Sequence, residues 1–178
     1  SEVELDVNPG TTYAIAVDGF GTQTGEVELN LLFLPHETAP PVNDDFTNAS
    51  LIAQLDTPYD GTNEFATGKA NEPLATDNLG RLSSVWWKWT ADRTTPVSAT
   101  TLGSSIDTIL ALCVADELGN PQLVESNDDS FGTSSMVWFR PEVGQTYYFA
   151  IDGKGDAEGK ITLTLRELNE ADNFTTGE

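Results

Sequence analysis

Short acidic side chains set among glycines and asparagines are the chemistry this sequence offers most freely. Asp152-Gly-Lys-Gly-Asp-Ala-Glu-Gly159 brings Asp152, Asp156 and Glu158 into one glycine-rich turn, where the backbone can fold its carbonyls toward an ion. Asn127-Asp-Asp129 is a second cluster, which Asp107 can join across the fold, and Asn43-Asp-Asp45 is a third. Carboxylate and carbonyl oxygens are the ligands of hard cations, so Ca²⁺ is the ion these groups suit. None of the clusters has the spacing of an EF-hand loop. Asn and Asp also cap turns by accepting backbone N–H bonds, which needs no metal. The candidate metal ligands are Asp107, Asp128, Asp129, Asp152, Asp156 and Glu158, with Ca²⁺ an optional cofactor and none required.

Catalytic chemistry is poorly provided for. The single imidazole, His36, stands between Pro35 and Glu37, where little can hold its tautomer for a Ser-His-Asp relay. There is no glycine loop followed by a helix to cradle phosphate, and no HExxH. Acids are so numerous that no one pair marks a glycosidase. The chain therefore reads as non-enzymatic. In Ser84-Val-Trp-Trp-Lys-Trp-Thr90 the side-chain period of two points Val85, Trp87 and Trp89 one way and Trp86 the other. Trp87 and Trp89 then belong to a core, while Trp86 packs under a loop or against a neighbouring repeat. Trp86 and Trp138 are also the candidate ligand-binding residues, since an exposed ring can stack on the apolar face of a sugar.

The positions of these groups depend on a chain of 178 residues, 38% hydrophobic, which can bury one good core and part of a second. Its 29 acidic residues against 8 Lys and Arg give a formal charge of -21, which repels polyphosphate. Nucleic acid and anionic membranes are thus excluded as partners, and no run approaches the ~18 apolar residues of a membrane-spanning helix. One cysteine, Cys113, rules out an internal disulfide, and its apolar run Ile109-Leu-Ala-Leu-Cys-Val114 marks a buried thiol. Asn48-Ala-Ser50 and Asn173-Phe-Thr175 match the glycosylation sequon, a match too short to weigh.

An internal repeat organises the chain. Gly10-Thr-Thr-Tyr-Ala-Ile-Ala-Val-Asp-Gly-Phe-Gly21 returns as Gly144-Gln-Thr-Tyr-Tyr-Phe-Ala-Ile-Asp-Gly-Lys-Gly155, a period of 144 − 10 = 134 residues. The match runs on through Gly25 and Gly159 into Val27-Glu-Leu-Asn-Leu31 and Ile161-Thr-Leu-Thr-Leu165, so both copies read as strand, turn, strand. That period is a domain, not a solenoid turn. Asp44-Asp-Phe-Thr47 returns as Asp172-Asn-Phe-Thr175. Strands are expected at 84–90, 97–101, 108–114, 122–126, 135–139, 146–151 and 160–165. Breaks fall at Asp60-Gly61, Gly119-Asn-Pro121, Asn127-Asp-Asp129, Gly132 and Asp152-Gly153. The expected fold is all-β, an antiparallel β-sandwich of jelly-roll kind. Residues 1–33 read as the C-terminal strands of a preceding repeat and 34–42 as a Pro-rich linker. The complete sandwich spans 43–168, and 169–178 read as the start of a following repeat.

These residues resemble the bacterial pre-peptidase C-terminal domains and their tandem relatives. The resemblance is carried by Asn43-Asp-Asp-Phe-Thr-Asn-Ala49, Ser84-Val-Trp-Trp-Lys-Trp-Thr-Ala91, Gly103-Ser-Ser-Ile-Asp-Thr-Ile-Leu-Ala111, Ser126-Asn-Asp-Asp129 and Gly144-Gln-Thr-Tyr-Tyr-Phe-Ala-Ile-Asp-Gly153. Ile106 stands where that pattern usually has an aromatic residue, and Cys113 where a tyrosine is common; both exchanges suit a core. The resemblance implies a non-catalytic β-sandwich, extracellular or at the cell surface, acting as a structural or adhesive repeat of a large surface protein or fibre. Neighbouring repeats or identical subunits are the expected partners. The alternative is an accessory domain of a secreted enzyme or adhesin that binds a glycan or protein ligand. An isolated hairpin is marginal in water, so residues 1–33 are expected to be completed by a longer parent chain or by strand addition to another subunit.

Overall fold

The computed structural model describes residues 3, 5, 11–32, 39–69, 72 and 83–168. It divides into two compact units, Ser1–Glu37 and Thr38–Glu178. Period-two runs rich in β-branched and aromatic residues form the strands of the second unit. They are β1 (Ser50–Leu51), β2 (Pro58–Thr62), β3 (Val85–Thr90), β4 (Val97–Thr100), β5 (Thr108–Ala115), β6 (Pro121–Asn127), β7 (Met136–Phe139), β8 (Thr146–Gly153) and β9 (Lys160–Glu167). One sheet has the order β1-β3-β8-β5-β6 and the other β2-β9-β4-β7. All pairings are antiparallel except that of β1 with β3. The expected β-sandwich is therefore present. Among the described residues no helix is long and apolar enough to cross a membrane.

The core lies between the two sheets. Val85, Trp87, Trp89, Leu110, Leu112, Phe149 and Ile151 of the first sheet meet Val97, Ala99, Val137, Ile161, Leu163 and Leu165 of the second. Alternation along β3 works as its sequence requires, and Trp86 projects from the opposite face. That face is covered by the segment leading into β1. A 3₁₀ turn, Phe46–Asn48, lays the Phe46 ring edge-on to Trp86 at 5.2 Å and tilted against Tyr148 at 4.3 Å. Asn43 secures the segment: its amide donates to the Trp86 carbonyl at 3.0 Å, and its own carbonyl accepts the Trp86 N–H at 2.9 Å. Ala49, Ala111, Cys113 and Ala150 complete this smaller apolar layer.

The sequence marks Asp60-Gly61 as a break, but both residues lie inside β2, paired with Thr162 and Ile161 of β9. Packing explains the glycine. A Cβ at Gly61 would stand 2.9 Å from the indole of Trp87, so the strand approaches the core only where a side chain is missing. As an edge strand, β2 also tolerates its leading Pro58.

The first unit carries the other copy of the repeat. Its turn matches that between β8 and β9 in detail. Asp18 accepts the Gly19 N–H at 2.7 Å, as Asp152 accepts the Gly153 N–H at 2.8 Å. The Gln23 N–H reaches the Phe20 carbonyl at 3.3 Å, and the Ala157 N–H reaches that of Lys154 at 3.4 Å. Gly21 and Gly155 take φ of 66° and 67°, a left-handed conformation that glycine adopts without steric penalty. The strands expected on either side of the first turn are a different matter. Residues 11–32 contain no strand, whereas β8 lies between β3 and β5, and β9 between β2 and β4. A two-stranded ribbon by itself buries too little to hold a ladder. His36 and the motif at 172–175 lie outside the described residues.

Candidate cation site and exposed tryptophan

Antiparallel pairing brings the acids of three segments to one rim of the first sheet. Thr108 opens β5 opposite Gly153 at the end of β8, and Leu110 pairs with Asn127 at the end of β6. The residues just outside those strand ends therefore converge: Asp107 before β5, Asp128 and Asp129 after β6, and Lys154 after β8. Among the described residues, Asp107, Asp128 and Asp129 form the one group of three whose carboxylate oxygens lie within 4.8 Å of one another. The backbone holds them there. The Lys154 N–H donates to the Asp107 carbonyl at 2.9 Å, and the Ser135 hydroxyl donates to the Asp128 carbonyl at 2.6 Å. Thr101, Thr108 and Ser135 form a buried hydroxyl network behind the rim, with Thr101 and Thr108 2.6 Å apart.

The Lys154 ammonium lies 2.8 Å from Asp128 Oδ2 and 3.1 Å from Asp129 Oδ2. These bonds, first that to Asp128 and then that to Asp129, hold the ammonium well above the ordinary lysine pKa. Asp107 is shifted upward, mainly by burial, with Asp129 and Asp128 adding repulsion and Lys154 opposing them. Oδ1 of Asp107 and Oδ1 of Asp128 are buried without a hydrogen-bond partner. Three carboxylates against one ammonium leave the rim negative. Carboxylate oxygens are the ligand type of hard dications, and here the Lys154 ammonium occupies the Oδ2 atoms of Asp128 and Asp129.

The other acidic candidates do not gather in this way. Asp152 is buried and accepts the N–H groups of Ser83 at 3.0 Å and Gly153 at 2.8 Å. Glu158 accepts from the Ser83 hydroxyl at 3.4 Å. Among the described residues, Asp156, Asp152 and Glu158 do not form a group of three carboxylates with oxygens within 4.8 Å of one another. At the leading segment, Asp44 accepts the Thr67 N–H and, at 2.7 Å, its hydroxyl, while Asp45 pairs with Lys69 at 3.2 Å. Asp152, Glu158, Asp44 and Asp45 act as caps and clamps.

The two tryptophan candidates part company. Trp86 is 0% exposed, sealed by Phe46 and Tyr148, so its ring offers no platform to a sugar. Burial goes as far as leaving its indole N–H without a partner. Trp138 keeps 45% exposure, because its neighbours Val137 and Phe139 take the core side of β7. In register across the outer face of the second sheet stand Trp138, Ser98 and Arg166; the serine is buried, while the tryptophan and the arginine flanking it are exposed.

No family model matches this chain, and no curated protein does. The solved structures offer a likeness. It is to the pre-peptidase C-terminal domain of collagenase from Bacillus anthracis, at 13% identity and a TM-score of 0.44. The match covers 66% of this chain and 94% of that one.

Cys113 is buried, with its thiol pushed up to about 12 by desolvation, which makes it inert at neutral pH. Lys154 is the residue of the rim that sequence reading passed over. A lone lysine inside an acidic, glycine-rich turn was the available signal, in a chain with few cations to spend.

Proposed function

We propose that this chain is a non-catalytic, extracellular structural or adhesive repeat of the pre-peptidase C-terminal type, working in series with similar repeats and assembling by strand complementation between neighbours. The observation that carries this reading is the duplicated turn. Asp18 to Gln23 and Asp152 to Ala157 share a hydrogen-bond pattern and a left-handed glycine, as two copies of one domain type would. An acidic exterior keeps such an array soluble. Neighbouring repeats of the same type are the partners this reading assigns.

A second reading rests on Trp138. Its half-exposed ring, with Arg166 two strands away on the same face, suits an accessory domain that binds a glycan or a protein. Titration against glycan and peptide panels, with and without EDTA and followed by tryptophan emission, separates the two. A spacer gives no saturable signal; a specific signal lost in Trp138→Ala assigns the accessory role, and turnover on the same panels would overturn both readings.

A further inference from the structure

The 134-residue period pairs six apolar positions of the first unit with six of the second. Tyr13, Ile15 and Val17 correspond to Tyr147, Phe149 and Ile151 of β8; Val27, Leu29 and Leu31 correspond to Ile161, Leu163 and Leu165 of β9. In the first unit these residues are 38–76% exposed, and in the second 0–7%. Apolar character and spacing are the same, and the connecting turns share their hydrogen-bond pattern. What differs is the rest of the sandwich, because β8 sits between β3 and β5, and β9 between β2 and β4.

We infer that residues 11–32 are the β8–β9 segment of a second sandwich, and that its apolar face docks a β1–β7 strand set of this same repeat type, distinct from the set at 50–139. This rests on the repeat reading above and names the partner which that reading leaves general. The register follows from the second unit. Tyr147, Phe149 and Ile151 lie opposite Trp89, Trp87 and Val85 of β3, and opposite Val114, Leu112 and Leu110 of β5. Tyr13, Ile15 and Val17 therefore take partners at those positions of the docking set.

A second copy of the 178 residues does not satisfy this requirement. Each copy holds two β8–β9 segments and one β1–β7 set already closed on β8 and β9, so lending that set frees as much apolar surface as it covers. The occupant is a further β1–β7 set. This also distinguishes docking from simple addition at a sheet edge, which pairs backbone but leaves an apolar face in water.

The test places a copy of residues 43–143 directly ahead of Gly10, in the phase that Val143 has to Gly144, and follows amide hydrogen exchange by mass spectrometry. In the 178-residue protein, residues 13–17 and 27–31 exchange as open chain at every protein concentration while 147–151 and 161–165 are protected. In the extended chain both pairs become protected, residues 13–17 and 27–31 slowing about a hundred-fold or more. Leu29→Asp abolishes the gain and leaves 161–165 unchanged. If the extended chain does not stay soluble, residues 43–143 supplied as a separate polypeptide during refolding produce the same protection. Unchanged exchange in both arms overturns the inference, as does protection in the unextended protein that rises with concentration, since a second copy would then be the occupant. The ligand titration above is independent, so failure of the repeat reading there is distinguishable from failure of docking here.

Discussion

The ammonium of Lys154 sits 2.8 Å from Oδ2 of Asp128, joining the β8–β9 turn to the end of β6 across the β5 strand between them. The protein thereby places its own cation in the one three-carboxylate cluster of its described residues.

Removing that cation exposes the cluster to external ones. Lys154→Met is expected to lower the melting temperature in EDTA and to recover it in millimolar Ca²⁺, because ligand bound only by the native state stabilises it. The parent protein, with the ammonium in place, is expected to respond less to Ca²⁺. Thermal melts of both proteins across a Ca²⁺ series check this; equal responses would remove Lys154 as a competitor.

Asp107 makes a prediction with a definite sign. Its pKa is raised in the folded state by burial, so the native protein takes up its proton at a higher pH than the unfolded chain does. The ionised form subtracts from stability at neutral pH. That deficit shrinks as pH falls through the folded pKa and is gone below the ordinary aspartate value of 3.8. Asp107→Asn should therefore be more stable than the parent at pH 7, and the two should converge at the acid end. Urea unfolding at several pH values measures the difference, and a constant offset would refute the assignment.

Phe46 seals Trp86. Phe46→Ala is expected to cost about 2–3 kcal/mol, less than the ~3–5 of a fully buried phenylalanine because Phe46 is only half-buried. Tryptophan emission should shift to the red and become quenchable by acrylamide. Unaltered emission at full folding would mean that the leading segment does not shield the indole.

Cys113 should resist alkylation at pH 8 in the folded protein and react at the rate of a free thiol once unfolded. Burial both blocks access and holds its pKa near 12. Rapid labelling of native protein would contradict its burial in the apolar layer it shares with Ala111, Phe46 and Tyr148.

Much of this architecture is legible from local pattern. Alternation fixes which way Trp86 and Trp87 point, since adjacent side chains on a strand have no choice but opposite faces. The repeat is likewise visible as paired glycines and apolar positions 134 residues apart. Other features depend on contacts between distant segments. Gly61 reads as a turn until Trp87 is placed beside it. Trp86 reads as a candidate ligand platform until Phe46, forty residues earlier, closes over it.

By itself the sequence determined the β class, the strand periodicity, the internal repeat and the acidic surface, because these follow from side-chain type and spacing along one stretch of chain. Only tertiary structure decided which acids meet and which tryptophan stays in water. The ends of β5, β6 and β8 reach one rim through strand order and register, and those are set by non-local pairing. The same six apolar positions are buried in one copy of the repeat and exposed in the other for that reason: burial belongs to the completed sandwich, not to the strand.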